Sequence, residues 1–288
     1  MQRILKMAII LFIINGTIFA QHAVEHTSLE WIMGIKDSMT FRNKELTFGF
    51  QMGYSSINIF NVSKFENRTN LCELKLGYED IYSLYNNNPH NFVNYFGAQL
   101  YGGFSHKPQE TNLLSIEGFR FGFRLIRGIG YNFNNTFVIP YFVRGIDQQH
   151  FDINKNELSV DYNSTYTPEE KLYAGTHREA GVMVQFSNGF GVSLALNNNL
   201  YSKRTSMLPS LGSDTIEYTF VYGVSRGVYY LFGDSELFPI YDFIARSAVS
   251  FAFVSLKRAE AYFPLGGKHE FSMNSVKLGF NYRINLGL

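Results

Sequence analysis

The feature that most constrains this chain is strict two-residue alternation, clearest in its last stretch, Ser275 to Leu288. Val276, Leu278, Phe280, Tyr282, Ile284 and Leu286 interleave with Lys277, Gly279, Asn281, Arg283 and Asn285. That is the period of a β-strand with one apolar and one polar face. The pattern recurs upstream. Leu46, Phe48, Phe50, Met52 and Tyr54 alternate with Glu45, Thr47, Gly49, Gln51 and Gly53, and Cys72, Leu74, Leu76 and Tyr78 alternate with Glu73, Lys75, Gly77 and Glu79. Phe119, Phe121, Phe123 and Leu125 enclose Arg120, Gly122 and Arg124, and Ile216, Tyr218, Phe220, Tyr222 and Val224 enclose Glu217, Thr219, Val221 and Gly223.

The beginning of the chain decides how the apolar faces are read. Arg3 and Lys6 precede an apolar run from Met7 to Ala20, the layout of a secretory signal peptide, with cleavage expected near Ala20. The run is shorter than the roughly 20 residues of a spanning helix. Its removal takes Arg3 and Lys6 from 25 basic residues and leaves 23 against 24 acidic ones, which excludes a nucleic-acid partner. Aromatic residues make up 17% of the chain, enough to furnish a lipid-facing wall with interfacial rings. Cys72 is the sole cysteine, so no internal disulfide forms; it falls on an apolar register, as a lipid-facing or buried thiol does.

The exported start and the alternation that runs to the final residues resemble bacterial outer-membrane β-barrel proteins as a class, although their last strand usually ends on an aromatic residue and this one ends on Leu288. The resemblance implies an all-β, closed antiparallel transmembrane β-barrel in the outer membrane. Such barrels put short turns in the periplasm and long loops outside. Counting back from the C-terminus on that rule gives ten strands, at about 44–60, 68–83, 91–105, 113–132, 136–148, 174–187, 190–204, 213–232, 238–256 and 270–286; splitting one long segment gives twelve. Residues 1–20 are then the signal, 21–43 an N-terminal extension or partial strand, and 44–288 the barrel. Segment 238–256 alternates poorly, and Ile240, Ile244, Ala248 and Phe251 also fit one face of a helix. Pro140 predicts a local break in pairing.

Two constellations carry chemistry. The polar register collects Glu73, Lys75, Gln99, Tyr101, Arg120, Arg124, Arg144, Glu179, Glu217, Lys277 and Arg283. In so narrow a lumen these charges are expected to plug the barrel as ion pairs, with a narrow polar conduit as the alternative. At the expected extracellular rim, Asp147, His150 and Asp152 end one strand and His177 and Glu179 begin the next. In strand number and in residue types this rim is similar to the omptins, ten-stranded outer-membrane proteases with Asp and His at the mouth, which implies a hydrolytic site. The residues Gln185 to Gly189 also resemble the His-x-Ser-Asn of barrel lipid A deacylases, but Gln185 stands where the base belongs, so the segment reads as a hairpin turn.

No Cys/His metal spacing and no cofactor motif is present, and neither a metal nor a cofactor is expected. The expected role is a structural, binding or narrow transport component of the cell surface, with outer-membrane lipid, lipopolysaccharide and other surface proteins as partners. The rivals are a barrel enzyme at the mouth and a secreted soluble β-protein with its apolar faces in a core.

Overall fold

The computed structural model describes residues 45–59, 66–83, 91–106, 116–153, 172–203, 207–259 and 269–285. The expected signal and the segment 21–43 lie outside the described residues. Eight strands, β1 (Glu45–Ile59), β2 (Glu66–Ser83), β3 (Phe92–His106), β4 (Ile116–Phe133), β5 (Thr136–Ile153), β6 (Leu172–Gln185), β7 (Phe190–Lys203) and β8 (His269–Asn285), pair in sequence order and close β8 onto β1. Every pairing is antiparallel.

Between β7 and β8 the chain forms a helical hairpin, α1 (Met207–Phe232) and α2 (Phe238–Ala259). The expected ten strands are therefore eight, because segments 213–232 and 238–256 are helical. Segment 213–232 misleads for a definable reason. Ser213, Glu217, Val221 and Ser225 are buried at intervals of four, which is one face of a helix. The same residues fall on every second place of the polar register, so helix and strand periods coincide here. Segment 238–256, whose helical reading was open, is long and apolar enough to cross a membrane.

Tight turns hold one end of the barrel. Asn134 and Asn135, at φ 49° and 68°, form the two-residue β4–β5 turn, the left-handed pair that a twisted hairpin requires. The β6–β7 turn uses Gly189 at φ 85°. Both lie at the end that carries Glu45 and Asn285, as does the connection 84–91, and the two longest connections, 154–171 and the one between β7 and β8, lie at the other. At Pro140, which has no N–H to give, the β4–β5 ladder passes from Gly128↔Tyr141 to Tyr131↔Val138 without intervening pairs.

The register also fixes height. From Met52 the ladder runs through Cys72, Phe104, Phe119 and His150 to Leu172, and the other way through Leu278 and Leu194 to Val182. This offset within β6 is the shear that tilts the strands. Spread evenly round the ring, it brings Met52, Glu73, Tyr101, Arg144, Arg178 and Lys277 close to one level, half-way along the strands.

The two faces divide as an inverted protein. Phe48, Met52, Leu74, Leu76, Leu100, Phe104, Phe121, Leu194, Leu278 and Tyr282 are exposed on the outside, while Glu73, Gln99, Arg120, Arg124, His177, Glu179 and Lys277 are buried inside. A soluble barrel would show the reverse. Cys72 is exposed on this apolar outer wall.

The lumen is filled in three layers. An aromatic and aliphatic cluster of Ile57, Leu71, Tyr173, Tyr201, Phe271 and Met273 closes the loop end. A second, of Val93, Tyr95, Ile126, Ile139, Tyr141, Val143, Met183 and Ala195, closes the turn end. Charged side chains lie between them. Room for these long groups comes from glycine on the facing strand: a Cβ at Gly145 would stand 2.8 Å from both Cα and Cβ of Arg124, and one at Gly122 would stand 2.7 Å from Cβ of Asp147. Gly145→Val is therefore expected to lower stability by about 1–3 kcal/mol through overpacking, measured as a lower urea midpoint in lipid vesicles. An unchanged midpoint would show that the lumen has slack.

Candidate functional site

The charged middle layer is built from one to three inward positions on each of β2 to β8. Lys277 Nζ reaches Glu73 Oε2 at 3.0 Å and Glu179 Oε2 at 3.2 Å. Arg120 pairs with Glu73. Arg124 stands 3.5 Å from Glu179 and donates to Gln99 Oε1 at 2.8 and 2.6 Å, while Gln99 donates to Glu79. Tyr141 donates its hydroxyl to Glu179 at 3.0 Å. The guanidinium groups of Arg120 and Arg124 lie 5.7 and 5.3 Å from the ring centre of Tyr101. Lys75 shares this inward register, paired with Gly49 and Tyr101.

Beside these pairs, Asp147 Oδ2 accepts from Tyr101 OH at 2.8 Å, Tyr201 OH at 2.9 Å and Asn199 Nδ2 at 3.0 Å. His177 Nδ1 is 3.1 Å from Tyr101 OH and 4.0 Å from Asp147, and its Nε2 is 3.6 Å from Glu179. Glu73, Glu79, Asp147 and Glu179 thus face Lys75, Arg120, Arg124 and Lys277, and with His177 neutral the charges balance. That balance is what a desolvated layer demands, since an unpaired buried charge costs several kcal/mol. Asp, His and Tyr in contact can move protons. Here they are buried between two apolar layers.

The structure redistributes the rim cluster. Asp147, His177 and Glu179 point into the lumen and are buried, so they meet one another at mid-height and not at the mouth. His150 falls on the outward register, opposite Leu172. Asp152 pairs with Glu117 in the β4–β5 ladder, and its side chain lies outside the described residues. Of the expected luminal set, Glu73, Lys75, Gln99, Tyr101, Arg120, Arg124 and Lys277 are in the lumen, and Arg283 pairs with Glu45 at its turn end. Gln185 donates to the carbonyl of Phe190 at 3.0 Å and closes the β6–β7 turn.

Glu217 and Arg144, expected inside, are on the outside. Arg144 and Arg178 are direct cross-strand neighbours on the outer face of β5 and β6, the face that carries Ile146 and Val182. Two like charges so placed repel, and neither belongs in hydrocarbon. The hairpin covers them. Glu217 of α1 bridges both, 2.8 Å from Arg144 and 2.8 Å from Arg178. Asp214 adds a contact of 2.5 Å to Arg178, Lys257 of α2 joins Asp214 at 2.7 Å and Glu217 at 3.1 Å, and Ser250 donates to Glu217 at 2.5 Å. Lower down, Phe238 packs on Phe92 and Ile129 of the wall, and Asp242 pairs with Arg246 at 2.7 Å within the hairpin.

Sequence reasoning missed Arg178, Asp214 and Lys257 as a group. Their signal is faint: Arg178 sits on the register of Ala180 and Val182, and a charge on an apolar register of a barrel strand calls for a partner outside the barrel.

No protein-family model matches the chain, and a search of curated proteins finds no match. Among solved structures, the chain is similar to Neisserial surface protein A, NspA (8% identity; 83% of this chain and 97% of that one; TM-score 0.40). It is also similar to the outer membrane enzyme PagL (9%; 83% and 99%; 0.37) and to Ail, the attachment invasion locus protein of Yersinia pestis (11%; 84% and 99%; 0.33). With its apolar exterior and charged interior, the chain is a β-barrel of the outer-membrane type.

Proposed function

We propose that the protein is a sealed outer-membrane barrel that acts as an anchored surface and intramembrane binding component, neither a pore nor a hydrolase at the mouth. The observation that supports this reading best is the three-layered lumen, in which a charge-balanced middle is enclosed by apolar clusters at both ends. The tight turns at Asn134–Asn135 and Gly189 are assigned to the periplasm and the two longest connections to the cell exterior. Export by the segment 1–20 and contact with lipopolysaccharide belong to the same reading. The apolar outer wall and a hairpin held to it by buried ion pairs are the surfaces on which a membrane partner is met.

Planar-bilayer recording tests the sealed lumen directly. The purified barrel is expected to give no stable conductance steps, while it stays in the detergent fraction and shifts on a gel only after boiling. Regular steps in the same preparation would replace the plug with a conduit.

A further inference from the structure

We propose that Arg258, with Asn198 and Asn274, forms a binding site for the phosphate group of an outer-leaflet lipid, at the seam between α2 and the β7–β8 wall. The proposal rests on the membrane orientation assigned above and adds a ligand class and a location to it.

Arg258 donates one guanidinium nitrogen to Asn198 Oδ1 at 3.0 Å and to Asn274 Oδ1 at 2.8 Å. Asn198 and Asn274 are themselves direct cross-strand neighbours on the outward register of β7 and β8, among Leu194, Leu196, Val276 and Leu278. Two amides facing outward on an apolar wall need a reason. Orienting an arginine supplies one, but neutral oxygens leave its charge uncancelled. Arg258 Nε is buried without a hydrogen-bond partner. The side chain as a whole keeps partial exposure and is held by its two amide contacts.

Among the described residues no carboxylate pairs with Arg258, and in the ion-pair network beside it Arg144, Arg178 and Lys257 already exceed Asp214 and Glu217 by one. The α2 C-terminus offsets only about half a charge. An anion completes the patch. Depth selects which anion: on the outward register Tyr54, Val276 and Leu196 form the last row of exposed apolar residues, and Ser56, Asn274 and Asn198 form the next. The apolar band of the wall therefore ends at the amides that hold Arg258, the level at which lipid phosphates are found. Guanidinium and amide N–H groups together form a donor set that suits a phosphate monoester.

The test uses the full barrel in detergent and compares native mass spectra after addition of diphosphoryl lipid A, the same lipid with its phosphates removed, or inorganic phosphate. Lipid A is expected to bind at least about tenfold more tightly than its dephosphorylated form, the equivalent of one charge-assisted contact. Arg258→Gln and, separately, Asn274→Leu are expected to remove that preference while the heat-dependent gel shift persists. Inorganic phosphate is expected not to compete. Equal binding of the two lipids, or an undiminished preference in both variants, would overturn the site; competition by inorganic phosphate would make it a free-anion site and overturn the lipid assignment. Conductance in bilayers with lipid binding intact would defeat the sealed-lumen reading alone, so the two failures are distinguishable.

Discussion

Glu217→Gln is expected to unseat the helical hairpin, at a cost of about 3–5 kcal/mol, the range for removing one member of a buried ion pair. The reason is geometric. Arg144 and Arg178 face each other across β5 and β6 on the outer wall, and Glu217 is the carboxylate that reaches both. An amide keeps the shape and some hydrogen bonding but leaves two guanidinium groups together, with Asp214 against Arg178 as the remaining carboxylate. Hydrogen exchange in lipid nanodiscs reads the result by segment: amides of 207–259 should lose protection while those of the strands keep theirs. Arg144→Met, Arg178→Met and Glu217→Met together should restore protection, since an apolar set of similar volume avoids the desolvation cost altogether. If Glu217→Gln alone exchanges like wild type, the network does not hold the hairpin.

Lys277→Met should damage the barrel itself by a similar amount. Lys277 is fully buried and stands between Glu73 and Glu179. Its removal leaves Glu73, Glu79, Asp147 and Glu179 against Lys75, Arg120 and Arg124, in a layer with apolar clusters above and below. The expected loss is about 3–5 kcal/mol, seen as a lower urea midpoint for the barrel in lipid vesicles. Adding Glu179→Gln should recover part of it, because charge balance returns; additive losses in the double mutant would mean that the two residues do not act through each other.

Much of this architecture is legible in the residues, and what is not has specific causes. On β1 and along the middle of β2, β3, β4, β7 and β8, a period of two assigns residues to their faces: Phe48 out and Gln51 in, Leu74 out and Glu73 in, Leu278 out and Lys277 in. The turns also declare themselves, through Asn134–Asn135 and Ser187–Asn188–Gly189. On β5 and β6 the alternation carries arginine on the apolar side, so Arg144 reads as luminal when it is not. In α1 a buried residue at every fourth position imitates a strand. The rim grouping is redistributed for a further reason: Asp147, His177 and Glu179, near adjacent strand ends in the sequence, are set at mid-height by the register and the shear, which no local pattern records.

By itself, then, the amino-acid order determined that this chain builds antiparallel strands with one greasy and one charged side. It could do so because side-chain alternation and turn chemistry act between near neighbours. Tertiary structure decided the number of strands, the packing of α1 and α2 against the outer wall, and the meeting of Glu217 with two arginines from different strands. Those outcomes depend on ring closure and on long-range neutralisation of charge, which arise only when distant segments are brought together.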